Sequence, residues 1–283
     1  MTLLDKIKSL LQLISVDPKL ALRILIKRNT KSNWLSKKVV KEPFNGVIFN
    51  FDFSLSPMVK YMYTGSYEIE TYLALKKFLK PGDTFIDIGG NIGYITALGA
   101  GIVGTSGEVH SFEPIKKYFN LLQNIANDNP SYNITPNNLA ISTEEGESTI
   151  TLNSSENIGN NSMVSNSMKE DHKGIEEAIK TTNITDYIAK NKLTPSLIKI
   201  DTEGYELTVL ESLKPYILNS KKKPVIYCEV TPEDYIHSGK NIKDLADFLD
   251  SVSYSAFTMN DLQKNINILE VKNRIDLVFK QNQ

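Results

Sequence analysis

The chain has 283 residues, 41% hydrophobic and 23% charged, enough apolar material for one full core with an appendage. Its single cysteine, Cys228, excludes an intramolecular disulfide and a thiolate metal cluster; no leader with a small-residue cleavage site opens the sequence, and no apolar run approaches the ~20 residues that span a bilayer, so a cytoplasmic setting is expected. The net charge of −1 hides an asymmetry, because residues 1–41 hold ten Lys/Arg against Asp5 and Asp17, so a basic segment precedes an acidic body.

Within that segment Leu3, Leu4, Ile7, Leu10, Leu11 and Ile14 recur at helical spacing between polar residues. A helix of this kind mostly packs its stripe against its own body or a second subunit. The alternative is contact with an anionic membrane surface or an acidic partner. Residues 46–53 have the β-branched and aromatic flavour of a strand or hairpin, and 67–79 read as a helix stopped by Pro81 and Gly82.

Residues 84–88 form a short apolar strand, Gly89, Gly90 and Gly93 make a turn, and a helix runs to about Ile102. Val109 to Phe112 is a second strand, ending at Glu113 and Pro114, and a helix follows from Ile115 to Ile125. Ile134 to Ile141 is a third strand, which Pro136 assigns to a sheet edge. Residues 142–183 break the rhythm with a hairpin at 148–152, an Asn/Ser-rich stretch at 153–162 and a charged run to Lys180, read as a loop or lid. The alternation resumes with a strand at 197–201, a helix at 203–218, a strand at 225–230, a helix at 242–249 and two strand-like runs in 254–280. Such alternation predicts a doubly wound α/β sheet, mostly parallel, with its ligand at the carboxyl ends of the strands.

The glycine turn lets a backbone approach a ligand closely and opens a helix whose free N–H groups face it. A dinucleotide fingerprint begun at Gly89 would need glycine at positions held by Asn91 and Tyr94, and no Gly-Lys-Ser/Thr closes a phosphate loop. Asp87 would repel a diphosphate but suits a ligand with a cationic end. Glu113, at the end of the second strand, is placed to accept hydrogen bonds from ribose hydroxyls. An adenosine with an amino-acid tail, S-adenosylmethionine, fits this pair; the bland alternative for Asp87 is a helix cap.

Here the chain resembles the FkbM-type methyltransferases. The resemblance covers roughly residues 64–231 and rests on Gly65 to Glu68, Pro81 to Tyr94, Phe112 to Pro114, Gly159 to Ser162, Leu197 to Leu207 and Cys228 to Val230. It implies a Rossmann-like class I methyltransferase fold with a seven-stranded, mostly parallel sheet whose last strand is antiparallel. It also implies methyl transfer, most often to a hydroxyl of a sugar, glycan or related natural product. The division expected is an N-terminal basic extension over 1–63, helical with a short strand or hairpin, and a methyltransferase domain over 64–283.

The cofactor-holding set is then Glu68, Asp87, Gly89, Asn91, Gly93, Glu113 and Asp201. Methyl transfer is an in-line displacement needing a positioned nucleophile and, for an alcohol, proton removal. Asp201, Glu229 and His237 are the catalytic candidates: Asp201 or His237 as a general base, or Asp201 with Glu229 holding a divalent cation. Glu203 reads equally as a carboxylate at a helix start, and Lys199 as a buried partner for an acid. A small-molecule or glycan acceptor is the expected partner, with an oligomer left open, and nucleic acid is disfavoured by the acidic body. An NAD(P)-dependent oxidoreductase and a non-catalytic adaptor keeping the fold are the alternatives.

Overall fold

The computed structural model describes residues 11–29, 38–152, 175–236 and 239–281. Helical residues 11–16 (α1) and α2 (Pro18–Asn29) lead into a hairpin of β1 (Val39–Phe44) and β2 (Val47–Asp52), followed by α3 (Val59–Thr64) and α4 (Ile69–Phe78). Then come β3 (Thr84–Ile88), α5 (Tyr94–Val103), β4 (Glu108–Phe112), α6 (Lys116–Asp128), β5 (Asn133–Asn137), β6 (Ala140–Ile141), β7 (Gly146–Leu152) and β8 (Ile175–Thr182). The chain continues through α7 (Ile184–Asn191), β9 (Pro195–Ile200), α8 (Glu206–Asn219), β10 (Val225–Val230), α9 (Pro232–Tyr235), α10 (Ile242–Ser251), β11 (Tyr254–Phe257) and β12 (Ile275–Gln281). Among the described residues no helix is long and apolar enough to cross a membrane.

Seven strands form the central sheet in the order β11-β12-β10-β9-β3-β4-β5, with β12 antiparallel to both its neighbours and the pairs from β10 to β5 parallel. This is the expected doubly wound arrangement. The chain steps from β5, at one edge, back to β9 beside β3, and that reversal opens a crevice at the carboxyl ends of β3 and β9. Pro136 sits in the edge strand β5, where its missing N–H removes no ladder bond from a central pair. β6, β8 and β7 make a separate small sheet beyond that edge.

Successive strand residues face opposite sides of the sheet. Phe85, Leu197, Tyr227 and Val278 pack with Leu73 and Ala74 of α4 and Ala97 and Leu98 of α5 on one side. Ile86, Ile198, Ile226 and Leu277 pack with α8 and α10 on the other. The first of these faces also carries Asp87, Lys199, Asp201, Glu229 and Asp276 by the same alternation, so it turns from apolar to ionisable as it nears the carboxyl edge.

The hairpin is fastened to the body. Asn129, at the end of α6, accepts from the Ile48 N–H at 2.7 Å and donates to the Ile48 and Ile125 carbonyls at 2.9 and 2.8 Å. Phe44 stacks on Tyr94 at 5.4 Å between ring centroids, and Phe49 meets the same ring edge-on. Arg23 of α2 donates to Glu42 at 2.6 Å and to the Tyr63 carbonyl at 2.7 Å, tying α2 to β1 and α3. The N-terminal helices pack on the body through Leu13, Ala21 and Ile24, which are buried, and not through the expected stripe, whose described members Leu11 and Ile14 are exposed. Leu3, Leu4, Ile7 and Leu10 lie outside the described residues.

Candidate active site

A cavity of about 380 Å³ opens at the carboxyl edge of β3, β4 and β9. Its floor is the glycine turn. Gly89 has φ of 83°, and a Cβ there would lie 1.8 Å from the Asp201 carbonyl oxygen, so the ends of β3 and β9 approach more closely than a side chain permits. Gly93 has φ of 84°, and a Cβ there would meet Ile125 Cδ1 at 2.3 Å, so α5 and α6 close together behind the turn. The Gly89 and Gly90 N–H groups both donate to the Phe112 carbonyl, which binds the turn to the end of β4.

Glu113 follows directly. It is 4% exposed, accepts from the Asn91 N–H at 2.9 Å and the Ile115 N–H at 2.8 Å, one on each oxygen, and lines the cavity. Burial pushes its carboxyl up to about 7 against the pull of those two donors. A carboxylate oxygen can accept more than one hydrogen bond, so with one donor on each oxygen Glu113 has acceptor capacity to suit a pair of ribose hydroxyls. Around Glu113 the wall is apolar, formed by Ile92, Ile115, Tyr118, Leu139 and Ile141.

The opposite end of the cavity is ionic. Lys199, buried in β9, lies 3.1 Å from Asp201, 3.7 Å from Asp87 and donates to the Gly89 carbonyl at 3.1 Å. Burial pulls its ammonium down, but Asp201, Asp87 and Glu68 together outweigh that and hold it above its ordinary value. Glu68 precedes α4 in the left-handed conformation (φ 46°), lines the cavity and hydrogen-bonds with the Tyr67 and Thr71 side chains; burial, then Asp201, pushes its carboxyl up.

Beyond Asp201 the chain makes a tight loop pinned by Glu206. One Glu206 oxygen accepts from the Thr202 N–H (3.0 Å), the Thr202 hydroxyl (3.1 Å) and the Gly204 N–H (3.0 Å). The pinning holds Glu203 at φ 51° on the cavity wall, where burial and Asp201 push its carboxyl up to about 8. Glu68, Asn91 and Glu203 are three non-glycine residues in a left-handed backbone conformation lining one cavity, a concentration of strain that structures retain around binding sites.

Behind Asp201 a recess of about 30 Å³ is lined by Glu68, Asp201, Tyr227, Glu229, Arg274 and Asp276 among others. Because β12 runs antiparallel, its start brings Arg274 to the same edge, where it pairs with Glu229. Burial, then Asp201, pushes Glu229 up to about 9 and Asp276 up to about 7, with Arg274 opposing both.

Of the residues singled out from sequence, Glu68, Gly89, Asn91, Glu113 and Asp201 line the main cavity, and Glu229 lines the recess. Gly93 lies behind the turn. Asp87 is fully buried below it, accepting from Thr96 at 2.6 Å and facing Lys199, so it meets the cavity only through that lysine. His237 and the 153–162 stretch lie outside the described residues. His110, also in a strand, bonds the Tyr187 hydroxyl at 2.8 Å and is not part of the cavity wall. Among the described residues no group of three or more His, Cys, Asp or Glu side chains is arranged to hold a metal ion. No local sequence pattern marks Arg274 and Asp276, which the antiparallel direction of β12 brings to the site.

A family model described as the methyltransferase FkbM domain matches residues 87–256, well over half of the chain. The chain belongs to the FkbM methyltransferase family. Membership in a methyltransferase family supports S-adenosylmethionine as the cofactor. Glu68 and Arg274 fall outside the matched residues, so flanking segments complete the cavity around the FkbM domain. Among solved structures, the FkbM methyltransferase from Methylobacillus flagellatus KT is 18% identical with a TM-score of 0.46, over 81% of this chain and 55% of that one. This chain thus spans little more than half the length of that relative. A precorrin-6y C5,15-methyltransferase from Geobacter metallireducens GS-15 is 11% identical over 75% of this chain and 86% of that one, TM-score 0.41. An S-adenosylmethionine-dependent O-methyltransferase from Thermotoga maritima is 10% identical over 77% and 66%, TM-score 0.42. No curated protein matches the chain.

Proposed function

We propose that this protein transfers a methyl group from S-adenosylmethionine to a hydroxyl of a sugar, glycan or related natural product. The observation that carries the reading is the division of one cavity into an apolar end around Glu113 and an end dominated by carboxylates. The fit of the cofactor rests on that donor set and on the close approach at Gly89, since the ligand combines a neutral nucleoside with an ammonium and a sulfonium and carries no phosphate. Glu113 would take the ribose, Gly89 and Asn91 would lie against it, and Glu68 and Asp201 would face the positive charges. Asp87 would contribute through Lys199, and Gly93 by closing α5 onto α6.

When bound, the cofactor supplies an electrophilic methyl group on a sulfonium. The chain must then orient a hydroxyl and receive its proton. Glu203, raised to about 8, is matched to that transfer near neutral pH, and Asp201, beside it, is the second carboxylate in reach of the same end. Glu229 would hold Arg274 at the acceptor side. A divalent ion on Asp201 and Glu229 would have to displace Lys199 and Arg274 from them, which disfavours metal assistance.

Calorimetric titration with S-adenosylhomocysteine tests the cofactor half: micromolar binding to the wild type, lost by about tenfold or more in Glu113→Ala, is expected for two charge-assisted hydrogen bonds. Binding of NAD with no response to S-adenosylhomocysteine would overturn it. For the acceptor half, methylation of free and nucleotide-linked sugars is measured with magnesium and with chelator. Transfer to amines or carbon acceptors only would remove the hydroxyl assignment.

A further inference from the structure

Tyr67 lines the main cavity next to Glu68, in the connector between α3 and α4 and outside the residues matched by the family model. That connector is held tightly. Gly65 ends α3 at φ 86°, where a Cβ would meet Leu20 Cδ1 at 2.5 Å, and the Gly65 and Ser66 N–H groups both donate to the Tyr61 carbonyl. The Ser66 and Thr64 hydroxyls are 2.8 Å apart, and Glu68 leads into α4 at φ 46°. Two left-handed residues therefore bracket the pair Ser66 and Tyr67 and fix where the tyrosine leaves the chain.

The ring is fixed as well. It meets Tyr94 edge to face at 5.7 Å between centroids, and its hydroxyl donates to the Glu68 side chain. Burial, then Glu68, pushes that hydroxyl up, so it stays a protonated donor. Tyr67 is half-buried, with the cavity on its open side.

An aromatic face attracts a cation lying within about 6 Å of its centroid. The charges felt by Tyr67 are those of Glu68, Asp201 and Lys199. Lys199 is already engaged by Asp201, Asp87 and the Gly89 carbonyl, so a ligand cation at this end meets two carboxylates and an aromatic ring. The two positive charges of S-adenosylmethionine differ in what they need there. Its ammonium has three N–H donors and calls for oxygen acceptors such as the carboxylates. Its sulfonium has no donor and is satisfied by a polarisable, electron-rich surface, which the ring supplies.

We propose that the ring of Tyr67 packs against the sulfonium of bound S-adenosylmethionine and so makes the site favour the methylated cofactor over S-adenosylhomocysteine. The inference rests on the cofactor reading given above. The attraction lasts only while the sulfur is charged: once the methyl group has left, the electron pair of the broken bond stays on sulfur, the thioether is neutral, and the product is held less tightly than the substrate.

The test is calorimetric titration of the full-length protein, without acceptor, by S-adenosylmethionine and separately by S-adenosylhomocysteine. Tyr67→Leu should weaken S-adenosylmethionine by about five- to thirtyfold and leave S-adenosylhomocysteine within about twofold of the wild type, because only the first ligand has the sulfonium charge. Tyr67→Phe, which keeps the ring, should hold S-adenosylmethionine far better than the leucine variant does. An equal loss of both ligands in Tyr67→Leu would make the ring a mere part of the wall and overturn the proposal, as would unchanged affinity for both. A wild type that binds neither ligand would instead remove the cofactor site, and this assignment with it, before any substitution is made.

Discussion

Glu206 shows how one side chain sets the geometry of several others. Its single accepting oxygen satisfies three donors of the 202–204 loop, and that loop presents Glu203 to the cavity. Glu206→Ala should cost about 1–3 kcal/mol, because buried donors are left unpaired, and should weaken S-adenosylhomocysteine binding; Glu206→Gln, which keeps an accepting oxygen, should lose less. Equal denaturation midpoints for the two variants would remove the clamp from the account. At this scale the sequence was legible where chemistry and position coincide, as at Glu113. Asp87 was harder: a carboxylate near a strand end reads as a ligand, but only the pairing of β3 with β9 shows Lys199 lying between it and the cavity. Arg274 carried no local signal, since it reaches the site through the direction of β12.

The elements divide along similar lines. β3, the glycine turn and α5 stood out because a strand buried on both faces and a glycine-marked helix start are strong local patterns. β8 did not, because only Ile179 and Thr181 of its eight residues are buried, leaving a polar sequence in an outlying sheet. α7, just beyond that stretch, is not marked either, although Asn183 caps it by accepting from the Thr185 and Asp186 N–H groups. The hairpin was visible as such, but its attachment through Asn129 was not, because three bonds from one buried amide have no sequence signature. Asn129→Ala should cost about 1–2 kcal/mol, leaving the half-buried Ile48 N–H and carbonyl and the buried Ile125 carbonyl without that partner. Hydrogen exchange should then quicken in β2 while β9 stays protected; uniform quickening would mean that the hairpin is not a separable element.

Across the molecule, the pooled carboxylates make stability depend on pH in a defined sense. Glu113, Asp276, Glu203 and Glu229 are raised from ordinary values of 4.5 or 3.8 to about 7, 7, 8 and 9. Folding therefore favours their protonated forms, a contribution complete below their ordinary values and lost as pH rises through the raised ones. His110, pulled down by burial from its ordinary 6.5, acts in the opposite sense, losing stability as pH falls below that value. The denaturation midpoint should accordingly fall between about pH 7 and about pH 9 in the ligand-free protein, and Glu229→Gln should flatten the upper part of that fall. A midpoint rising over this interval would contradict the assigned environment of the cluster.

The position of β12 sets the order in which the molecule can be made. Residues 275–281 enter between β10 and β11, so during synthesis β11 has no strand partner in the sheet until they emerge, and Arg274 reaches Glu229 only then. Translation thus leaves Glu229 without its arginine until β12 is threaded, and the carboxyl edge beside the cavity is complete only once that strand has joined the sheet.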